Sequence, residues 1–178
     1  MLTAEQNEEL TQVAAGTPMG ELLRRYWYPV AFTRELEEFP VRPARLLGED
    51  FAVFKTPRGR YGMLPEACPH RRASLAYGVV EADGLRCPYH GWLFGTDGTC
   101  LDQPAEREET NFRDRVRAVA GQVQELGGLI WAYIGPSPAP ELPRFDVFVM
   151  DGVRDIGWTE LPCNFVQIME NAVDPHHT

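Results

Sequence analysis

The sequence predicts a mainly β protein: an antiparallel β-domain behind N-terminal helices and ahead of the start of an α+β unit. Three observations carry this. Between about residues 42 and 135, short apolar runs alternate with turn residues. The turns include Gly48-Glu49-Asp50, Pro57-Arg58-Gly59, Asp83-Gly84 and Asp97-Gly98, and X-Gly pairs between short strands are the strongest local hairpin signal. At 136–143 the stretch Pro-Ser-Pro-Ala-Pro-Glu-Leu-Pro interrupts the pattern, because proline cannot donate to a sheet.

Residues 3–15 read as a helix, with Thr3 as N-cap and Gln6 at capping-box spacing. Gly16-Thr17-Pro18 breaks it, and Pro18 opens a second short helix to about Arg25. Strands are expected at Ala44–Leu47, Phe51–Lys55, Tyr61–Leu64, Leu85–Cys87, Trp92–Phe94, Thr99–Leu101, Val116–Glu125 and Leu129–Ile134. Beyond the connector, Gly157–Leu161 looks extended and Asn164–Val173 has helical apolar spacing. The expected division is a helical segment at 1–40, the β-domain at 41–135, the connector at 136–143 and the incomplete beginning of a second unit at 144–178.

The 178 residues carry a net charge of −9, which argues against a general nucleic-acid binder, since that needs a basic face. The start is acidic and polar, unlike a secretion signal, and the most apolar run, Leu129–Ile134, is strand length. No membrane span and a cytoplasmic location are expected. In a reducing cytosol the cysteines at 68, 87, 100 and 163 are free for metal.

Two of these cysteines alternate with histidines: Cys68-Pro69-His70, then sixteen residues, then Cys87-Pro88-Tyr89-His90. Structural zinc usually takes cysteines in one pair and histidines in another, so the alternation fits a [2Fe–2S] cluster better. One iron would take both thiolates and the other both imidazoles, each loop giving one ligand to each iron. Such a cluster is neutral when oxidised, whereas four thiolates would leave it doubly negative, so the histidines raise the potential. Reduction adds a negative charge and favours a proton on an exposed ligand imidazole, which predicts pH-dependent redox behaviour. Around the motif, Ser74 or backbone amides are candidate donors to the cluster sulfurs, Trp92 and Pro88 candidate shields, and Arg71 and Arg72 candidate partners for the reduced centre. Cys100 and Cys163 read as core thiols.

Cys68-Pro69-His70-Arg71 and Cys87-Pro88-Tyr89-His90-Gly91-Trp92-Leu93-Phe94 resemble the Rieske motif of ring-hydroxylating oxygenase large (alpha) subunits. Gly128–Gly135 resembles their last Rieske-domain strand, and Gly16–Gly20 with Arg25–Val30 is similar to the phthalate-dioxygenase-like branch. The fold implied is a Rieske [2Fe–2S] antiparallel β-domain followed by a truncated start of the catalytic domain. The resemblance also implies a second iron site at the C-terminus, with Asn171 beside it, Asp174 as inter-subunit electron bridge and His177 as the first of three ligands to a mononuclear Fe(II). The other ligands are expected beyond Thr178.

The implied function is the terminal oxygenase component. It would take electrons from an NAD(P)H-dependent reductase or a ferredoxin and use O2 to hydroxylate or dealkylate an aromatic small molecule, as a mono- or dioxygenase of aromatic catabolism. A homotrimer is implied for the full subunit, with no nucleic acid and no membrane as partners. The rival is a stand-alone Rieske ferredoxin-type electron carrier, for which the Asn171, Asp174 and His177 pattern is accidental. Two irons per intact chain support the carrier, and three support the oxygenase.

Overall fold

The computed structural model describes residues 2–110 and 112–176. Helix α1 (Ala4–Thr11) starts at the expected capping box: the Gln6 amide donates to Thr3 Oγ1 at 3.2 Å, and the Thr3 amide donates to Gln6 Oε1 at 3.0 Å. It ends earlier than the expected residue 15, with Gln12 extended. The Thr17 hydroxyl lies 2.8 Å from the Gln12 carbonyl oxygen, an alternative partner for a group near the helix end. Helix α2 (Pro18–Leu23) has Thr17 as its side-chain cap and Pro18 in the first turn.

Strand β1 (Tyr28–Phe32) comes next, within the 1–40 stretch that holds the N-terminal helices. Its Tyr-Pro-Val-Ala-Phe sequence suits an extended edge, where a proline is tolerated. Helix α3 (Thr33–Glu38) leads into the antiparallel meander β2 (Val41–Leu46), β3 (Glu49–Lys55) and β4 (Tyr61–Pro65). A second antiparallel sheet follows: β5 (Val79–Val80), β6 (Gly84–Arg86), β7 (Leu93–Gly95) and β8 (Cys100–Asp102). The hairpin β9 (Gln122–Leu126) and β10 (Leu129–Tyr133) then pairs with β1, giving a third sheet in the order β1-β10-β9. Gly127 and Gly128, with φ +68° and +84°, form its two-residue turn, which demands left-handed backbone at both positions.

The expected strand at Val116–Glu125 is shorter, beginning at Gln122. Arg117 bridges to Thr99 and Gly121 bridges to Met63, so residues 117–121 cross from one sheet to another instead of laddering along either.

The β2-β3-β4 sheet is packed on both faces. Ala52, Phe54 and Leu64 join a core with Leu85, Trp92 and Phe94 of the β5–β8 side, while Phe51, Val53 and Met63 join a core with Ala31, Ile130 and Ala132 of the β1-β10-β9 sheet. This double burial is why β3 reads Phe-Ala-Val-Phe without polar alternation.

The connector folds back onto the outer side of β10. The Trp27 indole N–H donates to the Pro140 carbonyl at 2.8 Å and the Tyr133 hydroxyl to the Pro136 carbonyl at 2.8 Å. Helix α4 (Asp146–Val149) adds Phe148, edge-on to Trp131 with centroids 5.3 Å apart. Helix α5 (Phe165–Val173) is capped by Asn164, whose side chain accepts from the Val166 amide at 3.1 Å. No helix among the described residues is long and apolar enough to cross a membrane.

Candidate metal centre

The two motif loops hang side by side from one core. The first follows β4 and the second joins β6 to β7. Their backbones share one hydrogen-bond frame. The Cys68 amide donates to the Ala73 carbonyl at 2.9 Å, and the Arg72 amide returns to the Cys68 carbonyl at 2.8 Å. In the second loop the Cys87 amide donates to Trp92 at 2.8 Å, and the Gly91 amide returns to Cys87 at 3.1 Å. Each cysteine thus begins a loop closed at its fourth and fifth following residues. At the fourth position the backbone is left-handed in both, with φ +60° at Arg72 and +73° at Gly91. Glycine is at ease there and arginine is strained.

This frame sorts the four candidate ligands by depth. Cys68 and Cys87 are 1% and 3% exposed and sit in the core cluster of Phe94 and Trp92. His70 is half-buried and His90 exposed, their ring centroids 4.7 Å apart. The Trp92 indole stacks on His70 at 4.2 Å, with the planes 3° apart. Tyr89 lies over His90 at 3.8 Å and is 64% exposed.

The electrostatics suit a cation-rich group. Burial pushes the Cys68 thiol up to about 11; the backbone amide of His70 opposes the rise and the adjoining Cys87 side chain adds to it. A thiol so buried becomes a thiolate readily only when a metal supplies compensating charge. Burial, His90 and Arg71 hold His70 below its ordinary value, so its imidazole is the neutral, metal-binding form at neutral pH. Among the described residues, no three His, Cys, Asp or Glu are grouped as on a single ion. The arrangement is instead a thiol pair behind an imidazole pair, as a two-iron cluster requires.

Several expectations need correction. The Ser74 hydroxyl donates to Glu66 Oε1 at 2.6 Å and accepts from the Ala76 amide at 3.2 Å, capping a 3₁₀ turn at Leu75–Tyr77 instead of facing the cluster loops. Cys163 is exposed, whereas Cys100 is buried as expected. Cys163 lies in the stretch between α4 and α5, which is largely exposed and contributes no buried residue to the core clusters.

Sequence reasoning also passed over Arg86. This side chain is three-quarters buried immediately before Cys87. Its guanidinium donates to Glu81 Oε1 at 2.5 Å, to Glu81 Oε2 at 3.0 Å, to Asp102 Oδ2 at 2.8 Å and to the Gly91 carbonyl. The hydrogen bonds from Arg86 hold the Glu81 carboxyl below its usual range. A charged residue ending the short apolar strand Gly84-Leu85-Arg86 was the available signal.

At the other end, Asn171 is exposed on the last turn of α5. Asp174 follows the helix in extended conformation, as a residue before proline prefers, and its Oδ1 accepts from the His176 amide at 2.9 Å. His177 lies outside the described residues.

The model for the Rieske [2Fe-2S] domain matches residues 26–123, from just before β1 to the start of β9. The chain belongs to the Rieske [2Fe–2S] family. The 5,5'-dehydrodivanillate O-demethylase oxygenase subunit of a Sphingobium species is 52% identical over 181 residues, covering 99% of this Rieske chain and 43% of its own length. The phthalate 4,5-dioxygenase oxygenase subunit of Pseudomonas putida is 43% identical over 183 residues, covering 100% of this chain and 42% of its own. Among solved structures, NdmA of Pseudomonas putida CBB5 aligns with a TM-score of 0.64 at 31% identity, over 74% of this chain and 41% of that one. The chain spans less than half the length of these relatives.

Proposed function

We propose that Cys68, His70, Cys87 and His90 hold the Rieske cluster and that the chain is the N-terminal part of a Rieske oxygenase large subunit. The observation that carries the ligand assignment is the pairing of two buried thiols with two outward imidazoles on matching loops. The oxygenase reading is supported by similarity to oxygenase subunits along nearly the whole chain, including the stretch beyond the Rieske match.

When bound, the cluster supplies reversible one-electron transfer, serving a mononuclear Fe(II) that activates O2 in the complete enzyme. The chain's own residues do the rest. Cys68 and Cys87, buried in the core, would hold one iron away from water, and Trp92 covers one face of His70. His90 faces solvent, where an electron donor or a neighbouring subunit reaches it. On this reading Asp174 bridges between subunits of a homotrimer, Asn171 stands beside the second iron and His177 is its first ligand. The donor is an NAD(P)H-dependent reductase or a ferredoxin in the cytoplasm, and the substrate is an aromatic compound that is hydroxylated or dealkylated.

Iron and acid-labile sulfide analysis, with electron paramagnetic resonance (EPR) of the reduced protein, tests the ligand set. The chain is expected to bind a two-iron, two-sulfide cluster with the g-values of mixed thiolate and imidazole ligation. Cys87→Ser and His90→Ala are expected to abolish that signal. A wild-type protein that binds zinc and no sulfide would sink the assignment.

A further inference from the structure

Arg86 joins three parts of the fold that meet behind the second motif loop. Glu81 follows β5, Asp102 ends β8, and the Gly91 carbonyl belongs to the loop itself. The guanidinium suits this junction because it is planar, always charged and fixed in its fork geometry. Two carboxylates more than offset its single positive charge, so its value to the loop is directional and not simply a positive field. The loop acceptor is well placed. Gly91 directly follows His90 and precedes Trp92, the indole stacked on His70. A peptide unit is planar and trans, so fixing the Gly91 carbonyl also fixes the opposed direction of the Trp92 amide. Gly91 has φ +73°, where glycine has the most freedom, and one strong donor removes that freedom.

We propose that Arg86 is a positioning residue for the iron–sulfur centre: braced by Glu81 and Asp102, it locks the Gly91–Trp92 peptide and so sets the orientation of His90 on one side and the Trp92 cover of His70 on the other. This rests on the ligand assignment proposed above. Among the described residues the first loop has no such brace: the Arg72 carbonyl, at the place of the Gly91 carbonyl, receives no side-chain donor, and the strained Arg72 backbone is itself less free to turn. The second loop, pivoting on glycine, is the one that needs an external lock.

The test uses the cluster-loaded protein, its Arg86→Lys and Arg86→Gln variants, and Arg60→Gln as control. Arg60 bridges to Asp83 at 2.9 Å near the same hairpin and, among the described residues, makes no hydrogen bond to either loop. Two quantities are read: the EPR line shape of the reduced protein and the rate of cluster loss to a chelator. Arg86→Gln is expected to broaden and shift the g-values and to speed cluster loss about tenfold, the scale on which groups that orient metal ligands act. Arg86→Lys, a point donor without the fork, is expected to recover part of both, and Arg60→Gln to change neither. If Arg86→Gln does not fold, Asp102→Asn, which keeps the guanidinium and removes one brace, is expected to give a smaller change of the same kind. Wild-type line shape and loss rate in the Arg86 variants, or in Asp102→Asn where it stands in, overturn the proposal. A wild-type protein without sulfide overturns instead the assignment beneath it.

Discussion

Arg72 and Gly91 occupy the same place in two matching loops, yet one is strained and the other relaxed. Arg72→Gly is therefore expected to stabilise the fold by about 0.5–1 kcal/mol, since relief of left-handed strain exceeds the added freedom of glycine when unfolded. Gly91→Ala is expected to destabilise it by about 1–2 kcal/mol. Its new Cβ would also meet Pro104 Cγ at 3.2 Å. Urea midpoints at constant slope check both. At this scale the candidate ligands were legible because their spacing alone encodes the chemistry. Ser74 and Arg86 were not, since what they touch, Glu66 for one and Glu81, Asp102 and Gly91 for the other, comes together only on folding.

Strand β3 was legible as a strand, but the run Phe51-Ala52-Val53-Phe54 could not say that it is buried from both sides. Phe51 and Phe54 belong to different cores. Phe51→Ala and Phe54→Ala are each expected to cost about 3–5 kcal/mol. Because they face opposite ways without a shared partner, the double variant is expected to equal their sum within about 0.5 kcal/mol, which a denaturation cycle measures.

The β7–β8 turn adds a pH dependence. Thr99, through its hydroxyl and its amide, holds the Asp97 carboxyl below its ordinary value, and Arg117 assists. A carboxyl depressed in the folded state stabilises above its unfolded value, and that contribution is lost as pH falls through the folded one. Acid unfolding is thus expected to lose this contribution below about pH 3.8, the ordinary Asp97 value. Asp97→Asn is expected to flatten that part of the stability curve. The Asp97-Gly98 turn was visible in sequence; the bridge from Thr99 to Arg117 was not, because it joins segments that the chain order keeps apart.

At the scale of the whole molecule, the two loops sit on the core shared by the β2-β3-β4 and β5–β8 sheets, while the third sheet and the folded-back connector belong to separate cores. The connector was legible from its prolines, but its docking was not: proline content predicts a break, whereas the Trp27 and Tyr133 donors that hold the carbonyls at Pro140 and Pro136 lie outside it. Tyr133→Phe is expected to cost about 1 kcal/mol and to speed proteolysis within 136–150, with little change near the loops. The helical pattern of α5 was also legible, though its end at Val173 is set by the proline two residues on.

The unequal depth of the thiol and imidazole pairs also governs how the protein ages. On the proposed assignment, oxygen and chelators approach from the imidazole side, while the thiolates stay sealed under Trp92 and Phe94. Loss of a bound cluster on storage should then begin at the His70 and His90 side, the side open to solvent.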